Sequence, residues 1–288
     1  MKYNKFPSYI ALCVFISLSL QGCAPTYPNE ADMIKGVKRL CKEEYGVDVT
    51  ANVSGATLGV HMPIKGLFNL ETMQLSKQAL DKVDGVMLSV SRVALSGSEK
   101  IDFYTVVTAD EDVTGAEVIL TRYVKDLRRY MFHDISRGEF AKRMIIDVRF
   151  NPQAILDKWS GQFTVEEVTL DGFICQQASR RITEEFQTNK DLAGKFKVAE
   201  CAGALKNRVF VFNVDIAREG LPMSEMIHGK AWHTGVLLFC AKTITHVLWA
   251  YSFKDFDKIV IANKFDSKTL EIDKKDANHC RKGKVKIE

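Results

Sequence analysis

The sequence predicts an α+β fold composed of two similar modules, and three observations indicate it. First, the chain has 288 residues with 46% hydrophobic, 26% charged and 10% aromatic side chains, a globular composition that argues against disorder, collagen and a polytopic membrane protein. Second, that length suggests two domains or one large one. Third, helical and strand periodicities alternate in the order helix, strand, strand, helix, strand, and the order recurs later in the chain.

The first module is predicted over residues 31–112. Its first helix begins after the capping residue Asn29 and ends at Gly46. Ser76 can cap a second helix, although residues 86–96 also fit a strand; we favour the helix. The predicted strands cover residues 47–53, 57–64 and 101–109.

A helical block is predicted over residues 113–160. Two capping boxes, in which Ser or Thr precedes Glu by three residues, begin helices at Thr114 and Ser136. An apolar face over 120–131 follows the first box. The pair Asn151–Pro152, a capping residue and a proline, begins a third short helix.

The second module is predicted over residues 161–288 and includes a basic C-terminal tail. It contains a helix after Asp171, a hairpin and a strongly apolar helix; its strands cover residues 196–202, 208–216, 258–262 and 269–272. Equivalent strands of the two modules are separated by about 151 to 155 residues. Side-chain identity between the modules is poor, so chance recurrence of common elements competes with a true repeat.

Charge gives little indication of a macromolecular partner. Lys and Arg number 40 and Asp and Glu number 36, a net charge of +4 that is too balanced to predict a nucleic-acid partner. Basic residues concentrate at 122–143 and 274–286, and such faces could contact anionic lipid or an acidic envelope polymer. Because Asp126, Asp134 and Glu139 interrupt the first stretch, we favour a solvated helix face there and a frayed tail at the end.

The N-terminus has the organisation of a secretory signal. Lys2 and Lys5 precede the apolar run Tyr9–Leu20, and the small residue Gly22 follows before the expected cleavage point. A run of twelve residues is too short to span a bilayer core of about 30 Å as a helix. An ordinary secretory signal followed by a chance cysteine is the alternative to a specialised signal.

The end of this run resembles the lipobox of bacterial lipoproteins. Leu20, Gly22 and Cys23 match the leucine, the small residue and the obligatory cysteine of that family, whereas Gln21 departs from its usual small residue. The resemblance implies cleavage before Cys23 and a diacylglyceryl group on its sulfur, with fatty acids such as palmitate. It covers about 23 residues, and the rest of the chain resembles no characterised family.

The resemblance also implies an address for the protein. Residues 1–22 would be the signal peptide, and residues 23–30 the lipidated cysteine and a short tether containing two prolines. Ala24, rather than Asp, follows the cysteine, which by the family's sorting rules favours the periplasmic face of the outer membrane in a Gram-negative host. In another host the anchor would lie in the cell membrane. Membrane lipid is thus the expected partner through Cys23, and an envelope protein or polymer is a possible second one.

No sequence motif indicates chemistry. The chain has no phosphate-binding loop, no nucleophile elbow and no metal-ligand spacing, so we predict no catalytic residue, metal or cofactor. The favoured function is a structural, binding or assembly role in the envelope. The alternatives are a hydrolase-like envelope enzyme whose site forms only in three dimensions, and a small-ligand carrier.

Two loops are candidates for partner or ligand contact. Lys65, Gly66 and Leu67 follow one central strand, and Arg218, Gly220 and Leu221 follow its counterpart in the second module. Each loop places a cation before Gly-Leu and could grip a ligand. The alternative is a turn that needs glycine for a positive φ and leucine to fill the core.

Five cysteines lie outside the signal and the lipidation position, and their pairing is left open: Cys41, Cys175, Cys201, Cys240 and Cys280. The odd number leaves at least one thiol unpaired in a monomer. Cys240 lies in an apolar run and is expected to be buried. Cys280 lies in the polar tail and is the best candidate for a free or intermolecular thiol.

Overall fold

Helices and mixed β-sheets alternate along the chain, which confirms the α+β class. The computed structural model describes residues 25–69, 71–72, 74–98, 100–113, 115–150, 163–219 and 230–283. The chain divides into two units, Met1–Glu167 and Val168–Glu288.

Unit 1 begins with a helix whose ends follow from its capping residues. The Asn29 side chain accepts a hydrogen bond of 2.9 Å from the Asp32 backbone N–H, and Gly46 ends the helix at φ +66°. The described elements of unit 1 are α1 (Glu30–Tyr45), β1 (Thr50–Ser54), β2 (Thr57–Ile64), α2 (Lys77–Ser96), β3 (Phe103–Asp110), β4 (Ala116–Tyr123), α3 (Val124–Met131), α4 (Arg137–Lys142) and β5 (Ile145–Phe150). Helix α2 confirms the helical interpretation of residues 86–96.

The five strands of unit 1 form one sheet in the order β1-β2-β3-β4-β5. Strands β2 and β3 are parallel, with Thr57 opposite Phe103, and the other three pairs are antiparallel. Helix α2 connects the parallel pair, as such a crossover requires. One face of the sheet packs with α1 and α2 around the buried side chains of Leu58, Val60 and Met62.

The second face of this sheet is covered at β2 by the extended segment 163–167. The ring of Phe163 stacks on that of His61 with centroids 5.5 Å apart. Val165 approaches so closely that a Cβ on Gly59 would lie 2.4 Å from it. Glycine at position 59 is therefore required by packing rather than by a turn.

Unit 2 begins with a helix that the Thr169 hydroxyl caps. Its described elements are α5 (Leu170–Thr188), β6 (Phe196–Lys206), β7 (Val209–Arg218), α6 (Lys230–Ala250), β8 (Lys258–Asn263), β9 (Lys268–Asp273) and α7 (Lys274–Arg281). The sheet order is β6-β7-β8-β9, with β7 and β8 parallel and the outer pairs antiparallel. Phe210, Phe212 and Val214 pack under the helices in a separate core.

The two units share one topology. Both have the order helix, strand, strand, helix, strand, strand, helix, and the strand pairs are antiparallel, parallel and antiparallel in both. Unit 1 then adds α4 and β5.

The same arrangement of two backbone hydrogen bonds recurs at one end of each parallel strand pair, which is β2 with β3 in unit 1 and β7 with β8 in unit 2. In unit 1, the Asp102 N–H donates to the Ala56 carbonyl and the Val124 N–H donates to the Asp102 carbonyl, at 2.9 and 2.8 Å. In unit 2, the Asp257 N–H donates to the Arg208 carbonyl at 2.8 Å. The Lys274 N–H donates to the Asp257 carbonyl at 2.9 Å.

The predicted helical block over 113–160 is wrong at two places. Residues Ala116–Tyr123 form β4, in which alternate side chains from 116 to 120 pack into the core, and residues Ile145–Phe150 form β5. The apolar positions of 116–131 fit both periods, and pairing with β3 selects the strand for the first half. Thr114 and Asn151–Pro152 lie outside the described residues, whereas the cap at Ser136 is confirmed.

The basic tail is also more ordered than expected. Its first part, Lys274–Arg281, is helix α7, and Cys280 within it is buried in the core of unit 2. Cys280 is a free thiol, which agrees with the first alternative, whereas its burial argues against an intermolecular disulfide. Polar residues surround this cysteine in sequence, but on a helix it occupies the inward face.

Candidate functional site

The first predicted contact loop is a packed turn. Gly66 has φ +65°, and its N–H donates to Asp112 Oδ2 at 2.8 Å. Leu67 is only 1% exposed, and the neighbouring Phe68 N–H donates to Asp110 Oδ2 at 2.9 Å. Gly66 and Leu67 therefore have the structural role, and only Lys65 of the three is exposed to a partner.

The second predicted contact loop is described only at its beginning. Arg218 is the last residue of β7 and lies opposite Phe196 of β6. Gly220 and Leu221 lie outside the described residues. The two loops belong to different units, so each stands as a separate candidate.

The predicted lipidation segment precedes the described chain. Leu20, Gly22 and Cys23 lie outside it, but Tyr27 is firmly held. The Tyr27 N–H donates to the Ser96 carbonyl at 3.3 Å, and its carbonyl accepts from the Ser98 N–H at 2.9 Å. The Tyr27 ring packs over α1, where a Cβ on Gly36 would lie 2.3 Å from it. The described chain thus enters unit 1 at the C-terminal end of α2.

All five cysteines of the described chain are free thiols. Burial raises the pKa of Cys41 to about 11, of Cys175 to about 12 and of Cys201 to about 11, and it also raises the pKa of Cys240 and Cys280. Because the thiolate is the nucleophilic form, the raised pKa values favour the protonated, less reactive form of these thiols near neutral pH.

A polar groove lies between α5 and β6 in unit 2. It has a volume of about 380 Å³, and its lining residues are Ser179, Arg180, Thr183, Glu184, Gln187 and Cys201. Small-molecule carriers usually have mainly apolar pockets, whereas five of the six residues that line this groove have polar or charged side chains. The protonated Cys201 thiol provides no nucleophile there.

The feature best suited to interaction is the turn between α3 and α4, which we call the 131–134 turn. Met131 is 57% exposed and Phe132 is 77% exposed, the largest value among the exposed large hydrophobic side chains of the described chain. The turn ends with the exposed residues His133 and Asp134, and His133 adopts φ +61°. Adjacent exposed apolar side chains rimmed by polar residues, rather than single scattered ones, are the pattern that marks a contact surface.

The basic residues around this turn dominate its charge. Of the three acids that interrupt the basic stretch, Asp126 and Glu139 turn inward and bind Arg143. The Arg143 Nη1 lies 2.6 Å from Asp126 Oδ1, and its Nε lies 2.7 Å from Glu139 Oε1. Only Asp134 is an exposed acid of the stretch, whereas four of its cations point to solvent: Lys125, Arg128, Arg137 and Lys142.

Stacked aromatic rings and a guanidinium pack beside the 131–134 turn and connect its flanking helices. The rings of Tyr130 and Phe140 are parallel within 5° with centroids 4.6 Å apart, and the Arg122 guanidinium lies 4.0 Å from the Phe140 centroid. These contacts join α3 to α4 and to β4, so the exposed apolar pair is presented by a packed scaffold.

The sequence contains the signal for this surface, but its interpretation needs the ion pairs. A basic segment containing the adjacent residues Met131 and Phe132 is visible in the sequence. The expectation of a charge-balanced, solvated face treats all three acids as exposed. Two of them are buried or half-buried partners of Arg143, so the local surface is more basic than the sequence indicates.

Two other kinds of feature, a metal centre and a membrane-spanning helix, are absent from the described part of the chain. Within the described ranges, no group of three or more His, Cys, Asp or Glu side chains is placed to hold a metal ion. No helix among the described residues has the length and apolarity needed to cross a membrane. Comparison of the chain with protein-family models, curated proteins and solved structures found no match.

Proposed function

We propose that this chain is a lipid-anchored protein of a bacterial envelope with a binding or assembly role. The observation that carries the proposal is the succession of a short positive segment, a twelve-residue apolar run and the residues Leu20, Gly22 and Cys23. Two or more acyl chains on Cys23 would attach the protein stably, since each buried CH₂ contributes about 0.8 kcal/mol.

The junction between tether and body supports this proposal. Tyr27 lies four positions after Cys23, and an extended chain of that length spans at most about 14 Å. Tyr27 is bonded to Ser96 and Ser98 and packs on Gly36. A lipid on Cys23 would therefore hold the α2 end of unit 1 close to the bilayer surface.

A binding role fits the described surfaces better than catalysis does. The 131–134 turn combines exposed apolar and cationic side chains. The buried cysteines have raised pKa values, and the groove at Cys201 contains no activated nucleophile.

The anchor is tested by replacing its attachment atom. In cells supplied with radiolabelled palmitate, the parent chain is expected to incorporate label and Cys23→Ser to incorporate none, because the serine oxygen does not replace the acceptor thiol. Cys41→Ser, which changes a buried cysteine of α1, is the matched control and should stay labelled.

Intact-mass spectrometry gives an independent reading of the same proposal. The mature chain should begin at residue 23 with the added mass of a diacylglyceryl group. Equal labelling of the parent and Cys23→Ser chains, or a mature chain that begins elsewhere, would contradict the anchor.

A further inference from the structure

We propose that the 131–134 turn is a second membrane contact, which seats Phe132 and Met131 in the headgroup layer of the anionic leaflet that holds the anchor. This inference rests on the lipid anchor of the proposed function and adds an orientation to it: unit 1 lies against the bilayer through α3 and α4 instead of swinging freely on its tether.

The apolar part of the argument is the exposure of two adjacent side chains. Phe132 and Met131 are 77% and 57% exposed at the end of a short helix. An aromatic ring at this position can enter the boundary between headgroups and acyl chains, where amphipathic elements bury their apolar residues to a depth of about 5–10 Å.

The charge around the turn selects an anionic surface. Arg128 lies in α3, Arg137 and Lys142 lie in α4, and all three are exposed. Asp126 and Glu139 both pair with Arg143, and Arg129 lies 3.8 Å from Asp126, so Asp134 is the single exposed acid of the segment. Exposed cations beside an apolar tip complement a layer of anionic headgroups.

The position of the tether places this surface at the membrane. Tyr27 binds Ser96 and Ser98, and the first N–H of α3, from Val124, donates to the Asp102 carbonyl at 2.8 Å. Ser98 and Asp102 are four residues apart, so the tether and the start of α3 lie at the same end of unit 1. Helix α3 is about 12 Å long at 1.5 Å per residue, which keeps the turn within reach of the leaflet.

An acidic protein could also bind a basic apolar surface, but the short tether favours lipid. A chain of at most about 14 Å between Cys23 and Tyr27 keeps this end of unit 1 near headgroups at all times. A protein partner would have to displace the lipid headgroups from this surface. Binding to vesicles that contain lipid and no second protein distinguishes a lipid partner from a protein partner.

The test places a fluorescent reporter at the tip. Phe132→Trp in the full chain is reconstituted in vesicles containing about 30% anionic phosphatidylglycerol, a charge density typical of attraction for basic segments, with and without brominated acyl chains. Because bromine quenches tryptophan on contact, the added emission, measured as the difference from the parent chain, should fall about twofold if the ring reaches a depth of about 5–10 Å. The control Leu88→Trp, at a side chain that is 53% exposed on α2, should be unaffected.

Charge variants test the electrostatic half of the inference. Arg128→Gln with Lys142→Gln is introduced into the Phe132→Trp chain. The equilibrium constant for insertion of the tryptophan ring into the headgroup layer should fall about fivefold for each charge removed, the equivalent of about 1 kcal/mol per cation. Lys38→Gln with Lys82→Gln, at exposed lysines of α1 and α2, is the matched control and should leave the quenching unchanged.

The outcomes for the anchor and for the turn are distinguishable. Suppose that the Phe132→Trp chain floats with the vesicles while its added emission is unquenched, or is quenched no more than that of the Leu88→Trp control. This result overturns the membrane contact and leaves the anchor intact. If Cys23 carries no lipid, quenching of the Phe132→Trp reporter by added brominated vesicles at low salt still supports the contact. The absence of quenching there overturns the contact as well.

Discussion

The imidazole of His61 is enclosed on the second face of the unit 1 sheet. Its side chain is only 4% exposed and stacks on Phe163. Burial disfavours the charged ring, which lowers the pKa of His61 from 6.5 to about 4. The folded protein therefore keeps His61 neutral at pH values where the unfolded chain would bind a proton.

We expect unit 1 to lose stability as the pH falls from 6.5 to 4. In that window the unfolded state binds one more proton at His61 than the folded state, so protonation favours unfolding. A pKa difference of this size, between 6.5 and about 4, corresponds to about 3 kcal/mol when each unit is worth 1.36 kcal/mol. Urea unfolding at pH 7 and pH 4 measures the loss.

The control for this prediction is His61→Gln, which has no titrating ring. Between pH 7 and pH 4 this variant should lose less stability than the parent chain, and the difference should be most of the roughly 3 kcal/mol attributed to His61. Only the carboxylates remain to titrate in the variant. Identical pH dependence in the two chains would show that His61 does not couple folding to pH.

Single residues are partly predictable from the sequence. The caps Asn29, Ser76 and Ser136 are confirmed because a cap is a local hydrogen bond. The burial of Cys280 is not predictable in this way, because it depends on which face of α7 meets the core of unit 2. His61 cannot be recognised as buried from its neighbours either, since the segment that covers it lies about a hundred residues away in the sequence.

At the scale of elements, α3 and α4 are joined by a buried charge network. Arg143 and Asp126 are 5% and 4% exposed, and Glu139 completes the network from one turn earlier in α4. Such a network fixes the geometry of the turn more than it adds net stability, because desolvation offsets much of the attraction.

We expect Arg143→Met to destabilise unit 1 by about 3–5 kcal/mol, because it leaves the Asp126 carboxylate buried without its closest cation. Asp126→Asn combined with Arg143→Met should recover a large part of that loss, since no buried charge remains. Arg149→Met, which removes an exposed cation 3.8 Å from Asp147, should cost less than about 1 kcal/mol. Denaturant unfolding measures all three, and equal costs for Arg143→Met and Arg149→Met would contradict the network.

The elements differ in how far the sequence determines them. Strands β2 and β8 are predicted nearly to the residue because strongly apolar, β-branched runs fit a central strand. The sequence of β4 favours a helix instead, because Leu120, Tyr123 and Val124 also fit a helical face. Only its pairing with β3, which brings Val118 opposite Thr108, decides between the two.

At the scale of the whole molecule, two units of one topology each have their own core. Leu58 lies in the core of unit 1 and Phe212 in that of unit 2, both fully buried. The recurrence of element order is visible in the sequence at offsets of about 151 to 155 residues. The shared register and the matching hydrogen bonds of Asp102 and Asp257 require the structure, because side-chain identity between the halves is poor.

We expect the cores to respond separately to large-to-small substitutions. Phe212→Ala should cost about 3–5 kcal/mol and accelerate amide hydrogen exchange within unit 2, while amides of unit 1 keep their protection. Leu58→Ala, at about 2–5 kcal/mol, should show the reverse pattern. Hydrogen exchange followed by mass spectrometry locates the change, and loss of protection in both units from either substitution would contradict separate cores.

The covering of β2 by residues 163–167 has a consequence for biogenesis. Every described strand and helix of unit 1 precedes this segment, so unit 1 can complete its fold before unit 2 has been synthesised, and domains generally form N-terminal first. Unit 2 would then begin to fold only after unit 1 is complete. The two units of shared topology would thus fold at different times, which limits exchange of their similar strands.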